Sequence, residues 1–443
     1  MKGDTKRKSG YQFSFALIMW SIVSVCSLLI SSPPSANAAA ISGESNTIFR
    51  MGKTTDDKKL YPLYEYLRFT GENNVGDSGS YSFNIGGWGR VDLADKSTDN
   101  NTDGDLQYGY LSYRANKNNL LLNAGRQFVA EGVATERIDG LYVRSDLAAG
   151  FGAAAFVGSP VVITQADFKG GDIIYGGRIV QGMPQYYSIG LSALRTDYSG
   201  NRLREEEGLD LWLHPFKQVD VVGRSSYNSI TSGWMEHAYN VTYSPLESLR
   251  ISANVSHINY KDYFYQVTTT ALSLTNGLLD PNEKVTTLGG SVEFSPVKSL
   301  TLTVDYKNYD YDIAGQAKYY GGKATFSLAE SFIAGAAVHR MDGENSRLRF
   351  DEYRVFASKN LGKADLTVDF FAVNYDSAIN GITNTYSASG ALSYAITDNL
   401  KLAADINYMK SSDFDKEVTG LVKVTYTFDK KFGSEGGAKS EKK

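Results

Sequence analysis

From Glu44 to Phe428 the chain repeats one pattern about 22 times: a run of roughly 10 to 14 residues whose side chains alternate between apolar and polar. The stretch KSLTLTVDYKNYDYD, residues 298–312, shows it plainly. Leu300, Leu302, Val304 and Tyr306 share one parity, and Thr301, Thr303, Asp305 and Lys307 share the other. A period of two places the sets on opposite faces of a β-strand. No stretch holds a 3.6-residue period with caps, so amphipathic helices are not expected. Runs of this length exceed the about 5 to 6 residues of an ordinary soluble strand and suit the roughly 9 to 11 that a tilted strand needs to cross a bilayer. After residue 40 no apolar run approaches the about 18 residues of a membrane helix. If the chain enters lipid, it must close its strands into a barrel, because an open edge leaves backbone groups without partners.

The connections sort by length. ANKNN, DLAAG, GMP, HPFKQ, SPLES, SPVKS, LAES, KNLGK and ITDN are short, and they alternate with longer links such as DKSTDNNTDGD, VVITQADFKGGD, DYSGNRLRE, DSAINGITN and residues 261–283. Short turns on one rim and long loops on the other are the habit of a transmembrane barrel. The alternating faces agree. Leu400, Leu402, Ala404, Ile406 and Tyr408 oppose Lys401, Asp405 and Asn407; Val422, Val424, Tyr426 and Phe428 oppose Lys423, Thr425 and Thr427. The composition, with 43 Gly and 30 Tyr against 9 Pro, fits many strands, tight turns and aromatic girdles. The expected fold is all-β, an antiparallel up-and-down transmembrane barrel of about 22 strands (20–22).

Residues 1–38 read as a cleaved signal peptide. Lys2, Lys6, Arg7 and Lys8 precede the apolar run 13–30, then SPPSANAAA supplies the break and the Ala36-Asn37-Ala38 site. Cys26, the sole cysteine of the sequence, lies inside that leader. The mature chain is then expected to have no disulfide, cysteine-bound zinc or covalently attached haem. The barrel is expected over residues 39–429, and the polar, Gly-rich residues 430–443 form a periplasmic tail without structure.

On these residues the chain resembles a bacterial outer-membrane porin-type barrel. The segment NAGRQF…GV…RIDGLYV, within residues 123–143, is similar to a Gly-Arg-Gln strand and following Asp-Gly strand of porin-like families. Such barrels end on an aromatic that assembly machinery reads. Here Phe428 or Phe432 is offered, followed by a tail. The resemblance implies export to the outer membrane of a Gram-negative bacterium. Its implied partners are outer-membrane lipid and lipopolysaccharide, with a homo-oligomer as an option. Porin–cytochrome conduits also resemble this plan: a large barrel sheathing multihaem cytochromes that reach from periplasm to cell exterior.

Candidate chemistry is sparse. His214, His237, His257 and His339 lie on separate predicted strands without metal-ligand spacing. No Gly-x-Ser-x-Gly elbow or phosphate loop occurs, so no enzyme and no cofactor are expected. Asp99, Asn101, Asp103 and Asp105 match the first half of a calcium loop, but Tyr110 stands where a closing Glu belongs. They remain only a weak calcium candidate. RLREEEG, residues 202–208, reads as an acidic run beside a long loop at the channel mouth. Net charge is −4, which gives no footprint for nucleic acid.

Parity assigns Arg90, Asp92, Arg144, Arg178, Asp210, Asp305, Lys307, Lys401, Asp405 and Lys423 to the lumen. A barrel of this strand number needs something in its hole. The first strand follows the leader too closely for a plug domain, so an inward loop is expected, with residues 261–283 the best constriction. The expected function is a channel for passive diffusion of small hydrophilic solutes or ions. The alternative is the cytochrome sheath.

Overall fold

The computed structural model describes residues 39–53, 58–74, 76–94, 101–161, 172–264, 280–328, 331–411 and 416–432. The leader, the tail after Phe432, Asp99 and most of the 261–283 connection lie outside these residues.

The chain enters as β1 (Ala39–Lys53), then a two-residue rung, β2 (Lys59–Leu60). There follow β3 (Pro62–Asn74), β4 (Gly79–Asp92), β5 (Thr102–Ala115), β6 (Leu121–Glu131), β7 (Ala134–Asp146), β8 (Phe151–Pro160), β9 (Ile173–Met183), β10 (Tyr187–Tyr198) and β11 (Asn201–Phe216). The second half is β12 (Val219–Asn228), β13 (Gly233–Leu246), β14 (Leu249–Asn259), β15 (Lys284–Val297), β16 (Leu300–Tyr311) and β17 (Gly315–Leu328). It ends with β18 (Phe332–Gly343), β19 (Arg349–Asn360), β20 (Ala364–Ile379), β21 (Ile382–Ala395), β22 (Leu400–Lys410) and β23 (Glu417–Phe432). Of these 23 strands, all but β2 form the wall, so 22 strands close on themselves. Each is antiparallel to its sequence neighbours, and β23 returns to β1 through a 13-residue register from Ala39↔Phe432 to Met51↔Gly420.

Both described chain ends therefore lie on one rim, called lower here. The short turns gather there: Lys117–Asn119, Ala148–Gly150 and the two-residue link between Leu246 and Leu249. The upper rim is less uniform than the sequence suggests. DYSGNRLRE and DSAINGITN are not loops. β10 and β11 run on to a tight turn at Ser199 and Gly200, and β20 and β21 to one at Asn380 and Gly381, all four with positive φ. Such turns match the twist of the flanking strands and extend the hairpin instead of opening it.

The wall is apolar outside. On β16, Leu302, Val304 and Tyr306 are exposed by 40%, 63% and 46%, an arrangement that suits lipid rather than water. Thr301, Asp305 and Lys307 occupy the other face. Among the described residues, one cluster of buried apolar side chains lies elsewhere: Val129, Ala134, Ile138, Phe156, Ile174 and Leu194.

That cluster exists because the upper part of the β6–β7 hairpin leaves the wall. β5 pairs with β6 only as far as Gly109↔Arg126, and β7 pairs with β8 only as far as Ile138↔Pro160. Above those points β6 and β7 keep pairing with each other to Glu131↔Ala134. A row of glycines marks the bend: Gly125 faces Gly140, which faces Gly158. A Cβ on Gly125 would overlap the Gly109 carbonyl oxygen, and one on Gly140 the Val157 carbonyl oxygen. Only glycine permits so close a backbone approach.

Gly140→Val is therefore expected to cost about 3 kcal/mol or more by overpacking, read as loss of the heat-modifiable folded band on electrophoresis. Gly390→Val is the contrast, since a Cβ there meets nothing within 4 Å. It should fold like the parent.

Candidate functional site

The displaced hairpin stands inside the barrel. Its one face, carrying Val129, Ala134 and Ile138, packs on Phe156 of β8, Ile174 of β9 and Leu194 of β10. These three wall residues share the parity of Ser192, opposite to the exposed Ile189 and Leu191, so they point into the lumen. At the tip, Gly132 and Val133 meet β10 and β11. The Val133 N–H donates to Ser192 Oγ at 3.0 Å, and Val133 fills the space over Gly208. Five large apolar side chains buried here contribute on the order of 10 kcal/mol as an upper bound.

Charges fix where the hairpin sits. Glu131, buried, accepts from the Tyr142 hydroxyl at 2.6 Å and lies 3.7 Å from Arg178 and 4.0 Å from Arg144. Arg178 also binds Asp210 of β11, with Nε to Oδ1 at 3.1 Å. Glu136 pairs with Arg204 of β11, whose Nε donates to Glu206 at 2.6 Å. On the back of the hairpin Arg137 pairs with Asp105 of β5, and Arg126 binds Asp139 at 2.7 Å with Asp105 at 3.7 Å. The hairpin thus has ion pairs to the inner wall on both sides. Phe128, 62% exposed, continues the parity of lipid-facing Leu122 but now faces the lumen.

The sequence-assigned residues divide between two environments. Arg144, Arg178 and Asp210 belong to the hairpin's anchorage. Arg90 stands opposite Tyr64 on the inner face of β4. Asp92 shares that parity but is buried, and its Oδ1 accepts the N–H of Tyr61 and of Ala94; it holds a loop. Asp305 accepts from or pairs with His339 Nε2 at 3.0 Å, and Lys307 lies opposite Tyr319. Lys401 and Asp405 are exposed on the inner face of β22, and Lys423 is half-buried on β23. Among the described residues neither Lys401 nor Asp405 has an ion-pair partner.

The structure adds detail to three readings from sequence. RLREEEG lies within strand β11 and borders a tight turn instead of a long loop; Arg204 and Glu206 face inward under the hairpin, with Glu206 3% exposed. Of the calcium candidates, Asp105 is committed to Arg137 and Arg126, and the Asp103 carboxylate accepts the Gly104 N–H. Asn101 gives its carbonyl to the Asp92 N–H, and Asp99 lies outside the described residues. The histidines are not all apart: His237 and His257 come together across β13 and β14, ring centroids 6.5 Å apart, with His237 Nδ1 2.8 Å from Ser225 Oγ.

Sequence reasoning missed Glu131, Glu136, Arg137, Ser192 and the glycine row. A signal was present. Val129, Ile138, Phe156, Ile174 and Leu194 all put apolar side chains on the lumen-facing parity of their strands.

No family model matches the chain, and no curated protein matches it. Solved structures similar to it include OccAB4 of Acinetobacter baumannii, 12% identical over 90% of this chain and 99% of that one, with a TM-score of 0.46. OccK8 (OprE) of Pseudomonas aeruginosa is 9% identical over 88% and 98%, TM-score 0.44. The translocation pore of the P pilus usher PapC is 10% identical over 87% and 99%, TM-score 0.45. At these values the likeness carries no weight beside the barrel's own geometry.

Val133→Cys with Gly208→Cys tests the inward hairpin directly. Mild oxidation should join the tip to β11, seen as a thiol-sensitive mobility shift, since Val133 already touches the space above Gly208. A hairpin standing clear of the barrel would give no crosslink.

Proposed function

We propose that this chain is an outer-membrane channel through which small hydrophilic solutes or ions diffuse passively, its bore narrowed on one side by the anchored β6–β7 hairpin. The observation that carries this reading is the inner face opposite the hairpin. Asp405 sits mid-strand and Lys401 near the lower end of β22, both exposed and without ion-pair partners among the described residues. Charges in that position need water, because burying them against apolar atoms costs far more than a strand can offset. An apolar exterior and a wet interior together describe a channel.

The hairpin bears on the alternative. A barrel that sheaths a multihaem rod needs a clear inner wall around it. Here residues 126–139 occupy that wall and are pinned by Glu131, Glu136 and Arg137. The arrangement favours the open channel over the sheath. The hairpin narrows the bore on its own account; most of the 261–283 connection, the constriction expected from sequence, lies outside the described residues.

Charge at the anchorage sets the sign of selectivity. Arg144 is half exposed, and Arg178 balances both Glu131 and Asp210. Arg144→Gln with Arg178→Gln removes two positive charges and leaves these carboxylates uncompensated. In planar bilayers under a salt gradient, cation preference should rise roughly twofold or more. An unchanged reversal potential in a folded variant would remove this pair from selectivity, and absence of current from the parent would count against the channel.

A further inference from the structure

One sector of the lumen reverses the usual placement of aromatic side chains. Barrel aromatics belong at the lipid boundaries. On β3 to β5, Tyr64, Tyr66, Trp88, Tyr108 and Tyr110 point inward instead. Tyr66 faces Asn46, which faces Thr425, on the parity of Lys423 and opposite to exposed Val424. Trp88 faces Tyr66, and Tyr108 and Tyr110 face Gly86 and Asn84. The outward face of β3 carries a carboxylate, Glu65, satisfied by Ser45 Oγ and Thr47 Oγ1 at 2.6 Å each.

The rings form two groups, Tyr64–Tyr66–Trp88 and Tyr108–Tyr110, and Tyr66 and Tyr108 line one recess. Tyr64 and Tyr66 lie side by side, centroids 5.9 Å apart and planes within 22°. Trp88 is 6.1 Å from Tyr64 and 6.4 Å from Tyr66, and Tyr108 is 6.2 Å from Tyr110. All five are partly exposed, and none has its hydroxyl or indole N–H engaged by another described residue. Strands about 4.8 Å apart spread the row over about 10 Å. Beside it opens a recess of about 320 Å³ lined by Glu44, Asn46, Arg68, Gln107 and Lys423. Glu44 is paired with Arg68 and accepts from Asn46 Nδ2 at 2.6 Å, which leaves the recess mixed in charge and rich in hydrogen-bonding groups. Trp88 pairs directly with Asp105, the residue that anchors the back of the hairpin. Solute passing the hairpin is therefore brought alongside the rings.

We infer that this row is a binding track for pyranose-bearing solutes, oligosaccharides above all. A pyranose has one face of C–H bonds, which lies on an aromatic ring, and an equator of hydroxyls, which need donors and acceptors at its edge. Aromatic planes flanked by phenols, carboxamides, a carboxylate and two cations meet both needs. The inference rests on the channel reading and narrows it to a solute class.

The test uses the full-length barrel in detergent and maltohexaose as the probe. Binding is followed by tryptophan fluorescence, which needs no current, and Trp212→Phe with Trp234→Phe leaves Trp88 as the reporter within the barrel. Saturable change is expected, weakened tenfold or more by Tyr66→Ala with Tyr108→Ala and much less by Tyr66→Phe with Tyr108→Phe, all checked for the folded band. In bilayers the same sugar should block the parent's current and spare the alanine variant's. A flat titration, or equal affinity in the folded alanine variant, overturns the track. Saturable, ring-dependent binding by a protein that passes no current would uphold the track and overturn the channel.

Discussion

Everything in this molecule follows from the demand that no backbone group inside lipid be left unpaired. The chain meets it by bringing its last strand back to its first, through the 13-residue seam between β1 and β23. Closure creates two surfaces with unlike solvents. The outer one selects side chains such as Leu191 and Val304, each 63% exposed to what must be hydrocarbon. The inner one selects Thr301, Asp305, Lys401 and Asp405. In a soluble sandwich the same alternation would turn the apolar parity toward a core.

A closed wall of 22 strands leaves more space than side chains can fill. Part of it is taken by the wall itself, bent inward at Gly125, Gly140 and Gly158. The division of labour in that bend is clear on energetic grounds. Burial of Val129, Ile138, Phe156, Ile174 and Leu194 holds the hairpin down. The ion pairs around it, several of them poorly exposed, offset much of their attraction by desolvation. Their effect is on position: Glu131 is met by Arg178, Arg144 and Tyr142, and Arg137 by Asp105.

The hairpin also links the two halves of the functional reading. Its front side turns part of the β8–β11 wall into a small core, which removes Glu206 from free contact with the stream. Its back side leaves Phe128 in the lumen and places Arg137 on Asp105, next to the inward-facing Trp88. What remains open is bounded by aromatic rings on one side and by the exposed charges of β22 on another. The wall is therefore not uniform around its circumference, and a solute meets different chemistry by sector.

The class of fold, the strand number within its stated range and the face of most wall side chains are legible in the chain alone. Those depend only on neighbours two residues apart and on backbone closure. The signs were local: alternation in residues 298–312, short turns such as SPVKS, and the absence of a membrane helix. It also held the marks of the hairpin, in five apolar residues on the wrong parity and in three glycines, but those marks have meaning only once β6 through β10 are laid side by side. DYSGNRLRE reads as a loop because polar residues dominate it, yet a hairpin raised above a membrane can be polar on both faces. Tertiary structure alone decided that Glu136 meets Arg204, 68 residues away, and that Tyr66, Trp88 and Tyr108 share one inner surface. The physical reason is that these contacts are set by register and by the bend of one strand pair across the curvature of the wall, distances to which a period of two is blind.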